Sequence, residues 1–110
     1  MPLAPRERVR AVSQDVGGQA TLARMIGVSP SRVSRWIATE EPDSANRRKI
    51  ESVEFVLNRL LDLWERDTVL KWLGGVNAYL GNRRPLDLIA HGRVAEVLEA
   101  IEAEETGAYA

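Results

Sequence analysis

The chain has no cysteine and a single histidine, His91, among its 110 residues. Disulfides and thiolate chemistry are thereby excluded, and one imidazole does not build a zinc site on its own. Aromatic residues make up only 5%, and no apolar run approaches the roughly 20 residues of a membrane span. The first residues lack the apolar core of a secretory leader, so a cytoplasmic protein with no membrane partner is expected. Paired carboxylates on one expected face and a Ser/His/Asp set in context are both missing. Gly17-Gly18 and Gly74-Gly75 lack the preceding strand and following lysine that a nucleotide loop requires. Neither an enzyme nor a bound metal or cofactor is expected.

What is present is ordinary for a folded chain: 45% apolar and 28% charged residues, enough for one modest core or two small subdomains. The net charge of −1 hides an asymmetry. Residues 1–49 carry nine Lys/Arg against five Asp/Glu, a balance of +4; residues 50–110 carry six against eleven, a balance of −5. A basic front suits contact with phosphate, and an acidic rear is repelled by it. Fluctuation of surface charge produces differences of this size as well, so the asymmetry supports a reading and does not make one.

The most organised stretch is residues 19–37. Leu22, Ala23 and Ile26 recur at the helical period. Gly27 stops that helix, Val28 fills the corner, Ser29 offers an N-cap oxygen and Pro30 opens a second helix. Val33, Trp36 and Ile37 point inward, which leaves Ser31, Arg32, Ser34 and Arg35 outside. This is the pattern of a helix-turn-helix whose second helix enters the DNA major groove. On that reading Ser31, Arg32, Ser34 and Arg35 read bases, and Gln19 and Ser29 position phosphates from helix N-termini. The bland alternative is a helical hairpin in a core. The Gln before Leu-Ala, the Gly-Val-Ser turn and the Val-Ser…Trp ending resemble the Xre/Cro class of bacterial repressors.

Before this motif, Val9, Val12 and Val16 predict a helix from Arg6 to about Asp15, with Arg6, Arg8 and Arg10 opposite. After it, Pro42 with Asp43 or Ser44 starts a long helix to about Glu65. Its stripe of Ile50, Val53, Leu57, Leu60, Leu61 and Trp64 is broad for one small domain, and suits a spine between subdomains or half a dimer interface. Arg47, Arg48 and Lys49 at its start suit phosphate contact or plain solvation. A short helix capped by Asp67, a single turn, a Pro85 helix burying Leu86, Leu88 and Ile89, and a last helix marked by Val94, Val97, Leu98 and Ile101 complete the chain. No strand pattern occurs. The fold expected is all-α: an N-terminal helix-turn-helix bundle over residues 1–49, joined by a long helix to a small helical domain over residues 50–110.

The rear half carries a second constellation: Trp72-Leu73, Asn77, Leu80-Gly81, then Arg83-Arg84-Pro85-Leu86-Asp87-Leu88-Ile89 and Gly92. In that order and spacing they resemble the toxin-binding domain of the MbcA/ParS/Xre antitoxins. One departure is Val76, where the family usually has proline. The resemblance implies a partner, a RES-domain toxin that degrades NAD, inhibited by blocking its active site. It also implies repression of the chain's own operon. Arg83, Arg84 and Asp87 belong to the matching motif, and Gly107, Ala108, Tyr109 and Ala110 are the expected plug. A plain reading stands beside each: Asp87 as a cap or ion-pair partner of Arg83 or Arg84, and the tail as a frayed terminus. Operator DNA is the second partner implied, bound by a homodimer within a larger toxin–antitoxin complex. Two rivals remain open: a stand-alone helix-turn-helix regulator whose rear half only dimerises, and an adaptor that no longer reads DNA.

Overall fold

A computed structural model describes residues 4–107. Among them are seven α-helices and one 3-10 turn: α1 (Pro5–Asp15), α2 (Gln19–Ile26), α3 (Pro30–Ala38), α4 (Ser44–Leu63), α5 (Arg66–Gly74), the turn Ala78–Leu80, α6 (Pro85–Ala90) and α7 (Val94–Thr106). No strand occurs among the described residues; an isolated antiparallel bridge joins Asn77 to Arg83. The all-α expectation therefore holds. The chain divides into two compact units, Met1–Glu54 and Phe55–Ala110, and the division falls within α4.

In the front unit α1, α2 and α3 pack on one another. Val9, Val12, Val16, Leu22, Ala23, Met25, Ile26, Val33 and Trp36 are buried, the 3.6-residue face that the sequence spaces out. Gly27 ends α2 at φ 85°, and its amide N–H reaches the Ala23 carbonyl at 2.8 Å. A side chain there meets no neighbour, so the glycine serves the left-handed backbone and not a close approach. The Ser29 hydroxyl accepts from the Arg32 amide at 3.3 Å and caps α3, with Pro30 in the first turn. Of the two candidate caps of α4, Asp43 takes the role: its Oδ1 accepts from the Asn46 amide at 2.8 Å. Ile37, expected inward, is half-buried.

The rear unit is built on the second part of α4, where Val56, Leu57 and Leu60 are buried. Here α5 packs on α6, α6 on α7, and α7 on the 3-10 turn. Val69, Leu73, Leu80, Leu86, Leu88, Ile89, Val97 and Ile101 complete the core, and Ala100 and Ala103 allow close approach along α7. Several expectations need correction. α4 ends at Leu63, not Glu65, and Leu61 of its expected apolar stripe is exposed. α5 begins two residues earlier than an Asp67 cap requires: Glu65 is its N-cap without a side-chain bond, and Asp67 lies in the first turn, where a negative charge favours the helix dipole. Trp72, which its apolar ring would suit to the core, is half-buried. Its indole N–H donates to Glu104 at 3.3 Å and its ring lies 6.2 Å from that of Trp64. An indole needs a partner for its N–H, and a helix edge supplies one more readily than an apolar interior.

Candidate functional site

The exposed face of α3 carries the residues singled out for reading bases. Ser31, Ser34 and Arg35 are exposed and Arg32 is half-buried, while Val33 and Trp36 anchor the helix from beneath. The Arg32 guanidinium lies over the Trp36 ring, 5.7 Å from its centroid, an arrangement that fixes the cation against the helix. Arg32 also reaches Asp43 Oδ2 at 3.4 Å, and Arg35 Nε reaches Glu40 Oε2 at 3.5 Å. A third pair joins Arg47 at the start of α4 to Glu41 at 3.8 Å. The short loop between α3 and α4 thus places one carboxylate against each of three arginines. Sequence reasoning saw this loop only as a helix boundary.

The two residues expected to position phosphates are placed differently. Gln19 is the first residue of α2, exposed, beside a cleft of about 430 Å³ that Arg10, Gln14 and Ile37 also line. Ser29 spends its hydroxyl on the Arg32 amide and on Ser31 Oγ at 3.1 Å, so its side chain already has internal partners. Lys49, one of the basic residues at the start of α4, donates to the Ile26 carbonyl at 3.3 Å and satisfies the C-terminus of α2. Arg8 pairs with Glu54 at 2.5 Å, and that hydrogen bond and charge raise its already high pKa further. It ties α1 to α4 instead of merely wetting a face.

In the rear unit the matching motif forms a tight loop. Asn77 Oδ1 accepts from the Tyr79 amide at 2.9 Å, and the Asn77 amide donates to the Arg83 carbonyl at 3.1 Å. Gly81 and Asn82 both take positive φ, 68° and 62°, which closes the loop; asparagine tolerates this conformation better than most residues. The two arginines help to hold it: Arg83 Nε donates to the Leu80 carbonyl at 2.7 Å and Arg84 Nε to the Gly74 carbonyl at 3.0 Å. Arg83 also meets Glu96 at 3.2 Å, a carboxylate shared with Arg93. Arg84 is extended before Pro85, as the proline demands. Asp87 is half-buried in the first turn of α6. With Arg83, Leu88, His91 and Arg93 it lines a cleft of about 300 Å³. His91 ends α6, and because the Asp87 carbonyl 2.7 Å away only accepts, Nδ1 carries the proton.

This loop also presents two side chains to which the sequence analysis gives no functional role. Val76 is 58% exposed and Tyr79 43%. With Phe55 at 54% and Leu61 at 37% they are the exposed large apolar residues among those described, and all four fall in the rear unit. The available signal was the departure at position 76, where an apolar residue replaces the proline of the pattern. Of the expected plug, Gly107 ends α7 at φ 68° and is exposed. Ala108, Tyr109 and Ala110 lie outside the described residues. Among those described, no group of His, Asp and Glu is placed to hold a metal ion, and no helix is long and apolar enough to cross a membrane.

The fold is thus that of an all-α chain made of two compact units, one presenting a cationic helix and the other a tight apolar loop. No family model matches the sequence. Over 104 residues, 94% of this chain and 87% of the relative, it is 28% identical to the mycobacterial cidal antitoxin MbcA of Mycobacterium bovis, and equally to that of Mycobacterium tuberculosis. The fold matches a chain in the crystal structure of the M. tuberculosis MbcT–MbcA toxin–antitoxin complex with a TM-score of 0.82 at 23% identity, over 99% of this chain and 100% of the other. The chain is homologous to the antitoxin MbcA.

Proposed function

We propose that the chain is the antitoxin of a toxin–antitoxin pair: its rear unit binds and inhibits a RES-domain toxin that consumes NAD, and its front unit represses its own operon. The observation that carries the reading is the homology to MbcA, which spans 94% of the chain and so runs through both units. The distribution of exposed apolar surface supports a protein partner for the rear unit. Val76 and Tyr79 stand on a loop braced by its own hydrogen bonds, so burying them against a partner costs little ordering. Arg83, Arg84 and Asp87 act in this account by holding and flanking that loop, and the segment from Gly107 to Ala110 enters the toxin's nucleotide cleft. A terminal aromatic such as Tyr109 buries much area at low entropic cost there.

For the front unit, an exposed α3 bearing Ser31, Arg32, Ser34 and Arg35 over a buried Trp36 supports insertion into the major groove. The exposure of Gln19 at the start of α2 supports a phosphate contact there. Repressors of this geometry read two half-sites, so the chain is expected to act as a dimer within the complex. The toxin reading is tested with the product of the neighbouring reading frame, purified and assayed for NAD loss. Stoichiometric inhibition by the full chain is the expected result, with inhibition lost on truncation after Thr106. An enzyme that consumes NAD untouched by this chain would reduce the protein to a regulator whose rear unit serves another purpose.

A further inference from the structure

Two arginines of α3 and one at the start of α4 are each engaged by a carboxylate of the residue 40–43 loop: Arg32 by Asp43, Arg35 by Glu40 and Arg47 by Glu41. Three acids in four positions are unusual company for a surface meant to meet a polyanion. Their geometry suggests more than accidental neighbours. Asp43 is held in place by its second task, since Oδ1 caps α4 at 2.8 Å while Oδ2 faces Arg32. Arg32 is held from the other side by the Trp36 ring. Glu40 follows the last turn of α3, and its amide N–H bonds to the Arg35 carbonyl at 2.8 Å, which keeps its carboxylate beside that arginine.

We propose that this loop is a built-in competitor for DNA: its carboxylates occupy the positions that phosphate or guanine oxygens take, and DNA binds only by displacing them. The inference rests on the DNA-binding reading of α3. A phosphate offers an arginine a bidentate oxygen edge, whereas these carboxylates meet theirs through single contacts of 3.4, 3.5 and 3.8 Å, so the competition turns on charge. Each exposed pair contributes little, but displacing two of them also leaves two carboxylates beside the phosphate backbone. The loop therefore sets the operator affinity low.

The test uses the full chain and the duplex upstream of its own reading frame, titrated at low and moderate salt. The variant is Glu40→Gln with Asp43→Asn, where the asparagine keeps an oxygen to cap α4. The control is Glu7→Gln with Glu51→Gln, which removes the same charge from the same unit away from α3. The expected result is roughly three- to tenfold tighter binding by the loop variant at low salt, shrinking as salt rises, with at most a small gain in the control. Adding Arg32→Ala and Arg35→Ala to the loop variant is expected to abolish the gain. Wild-type binding that the loop variant does not improve, or a control that gains as much, overturns the inference and leaves DNA binding in place. Failure of both the wild type and the loop variant to bind overturns the DNA-binding reading as well. Binding by the loop variant alone supports both.

Discussion

The two units solve the same packing problem and then present opposite surfaces. Each buries a set of aliphatic residues spaced at the helical period, and each closes its turns with left-handed residues, Gly27 in one and Gly81 with Asn82 in the other. The front unit leaves no large apolar residue exposed among those described, and its outward helix carries serine and arginine. The rear unit exposes Phe55, Leu61, Val76 and Tyr79. A cationic face with a sealed core suits an anionic ligand that keeps its water; an apolar loop braced by its own hydrogen bonds suits a partner that sheds water. The lesson is that the character of each surface is set by what the core does not need.

The largest effect that breaks this comparison is expected from Trp36→Ala. The ring is buried beneath α3, and its removal is expected to cost about 3–5 kcal/mol of stability, read from the urea midpoint. DNA binding is expected to disappear with it. Next in size is Arg35→Ala, which is expected to weaken operator binding by about 1–3 kcal/mol while leaving toxin inhibition alone. An unchanged operator affinity would mean that α3 does not face the duplex as proposed. Val76→Asp is the mirror of that experiment. A charge on the exposed loop is expected to weaken toxin binding by at least about tenfold in a direct titration, with thermal stability and operator affinity unchanged.

Smaller effects sharpen the account of the scaffold. Gly27→Ala is expected to lower stability by about 1 kcal/mol, because a Cβ finds open space but a left-handed backbone disfavours it. Breaking the Arg8–Glu54 pair by Arg8→Ala is expected to cost about 0–1 kcal/mol, since Arg8 is more than a third exposed. An arginine with a raised pKa stays charged through the ordinary range, and that loss is expected to shrink with salt.

Much of this was legible in the sequence because it depends on local rules. The Gly27 stop, the Ser29 cap with Pro30, the extended Arg84 before Pro85 and the Gly107 stop follow from what single residues do to a backbone. What stayed illegible depends on choices made in three dimensions. Arg32 has Trp36 and Asp43 within reach, and no spacing rule says that both engage it. The sequence marks Trp72 as apolar and does not reveal the Glu104 partner that keeps it at an edge. Leu61 and Val76 carry the same letters as core residues and differ only in which way the backbone turns them. Val76 departs from the family's proline in the sequence, and only the fold shows that it stands exposed.

The most direct test of two units with two partners is a paired assay of Arg35→Ala and Val76→Asp, each full-length chain measured for inhibition of NAD loss by the neighbouring gene's product and for binding to its own upstream duplex. The account predicts that Arg35→Ala keeps inhibition and loses the duplex, while Val76→Asp keeps the duplex and loses inhibition. Two variants that lose or keep both activities together would contradict it.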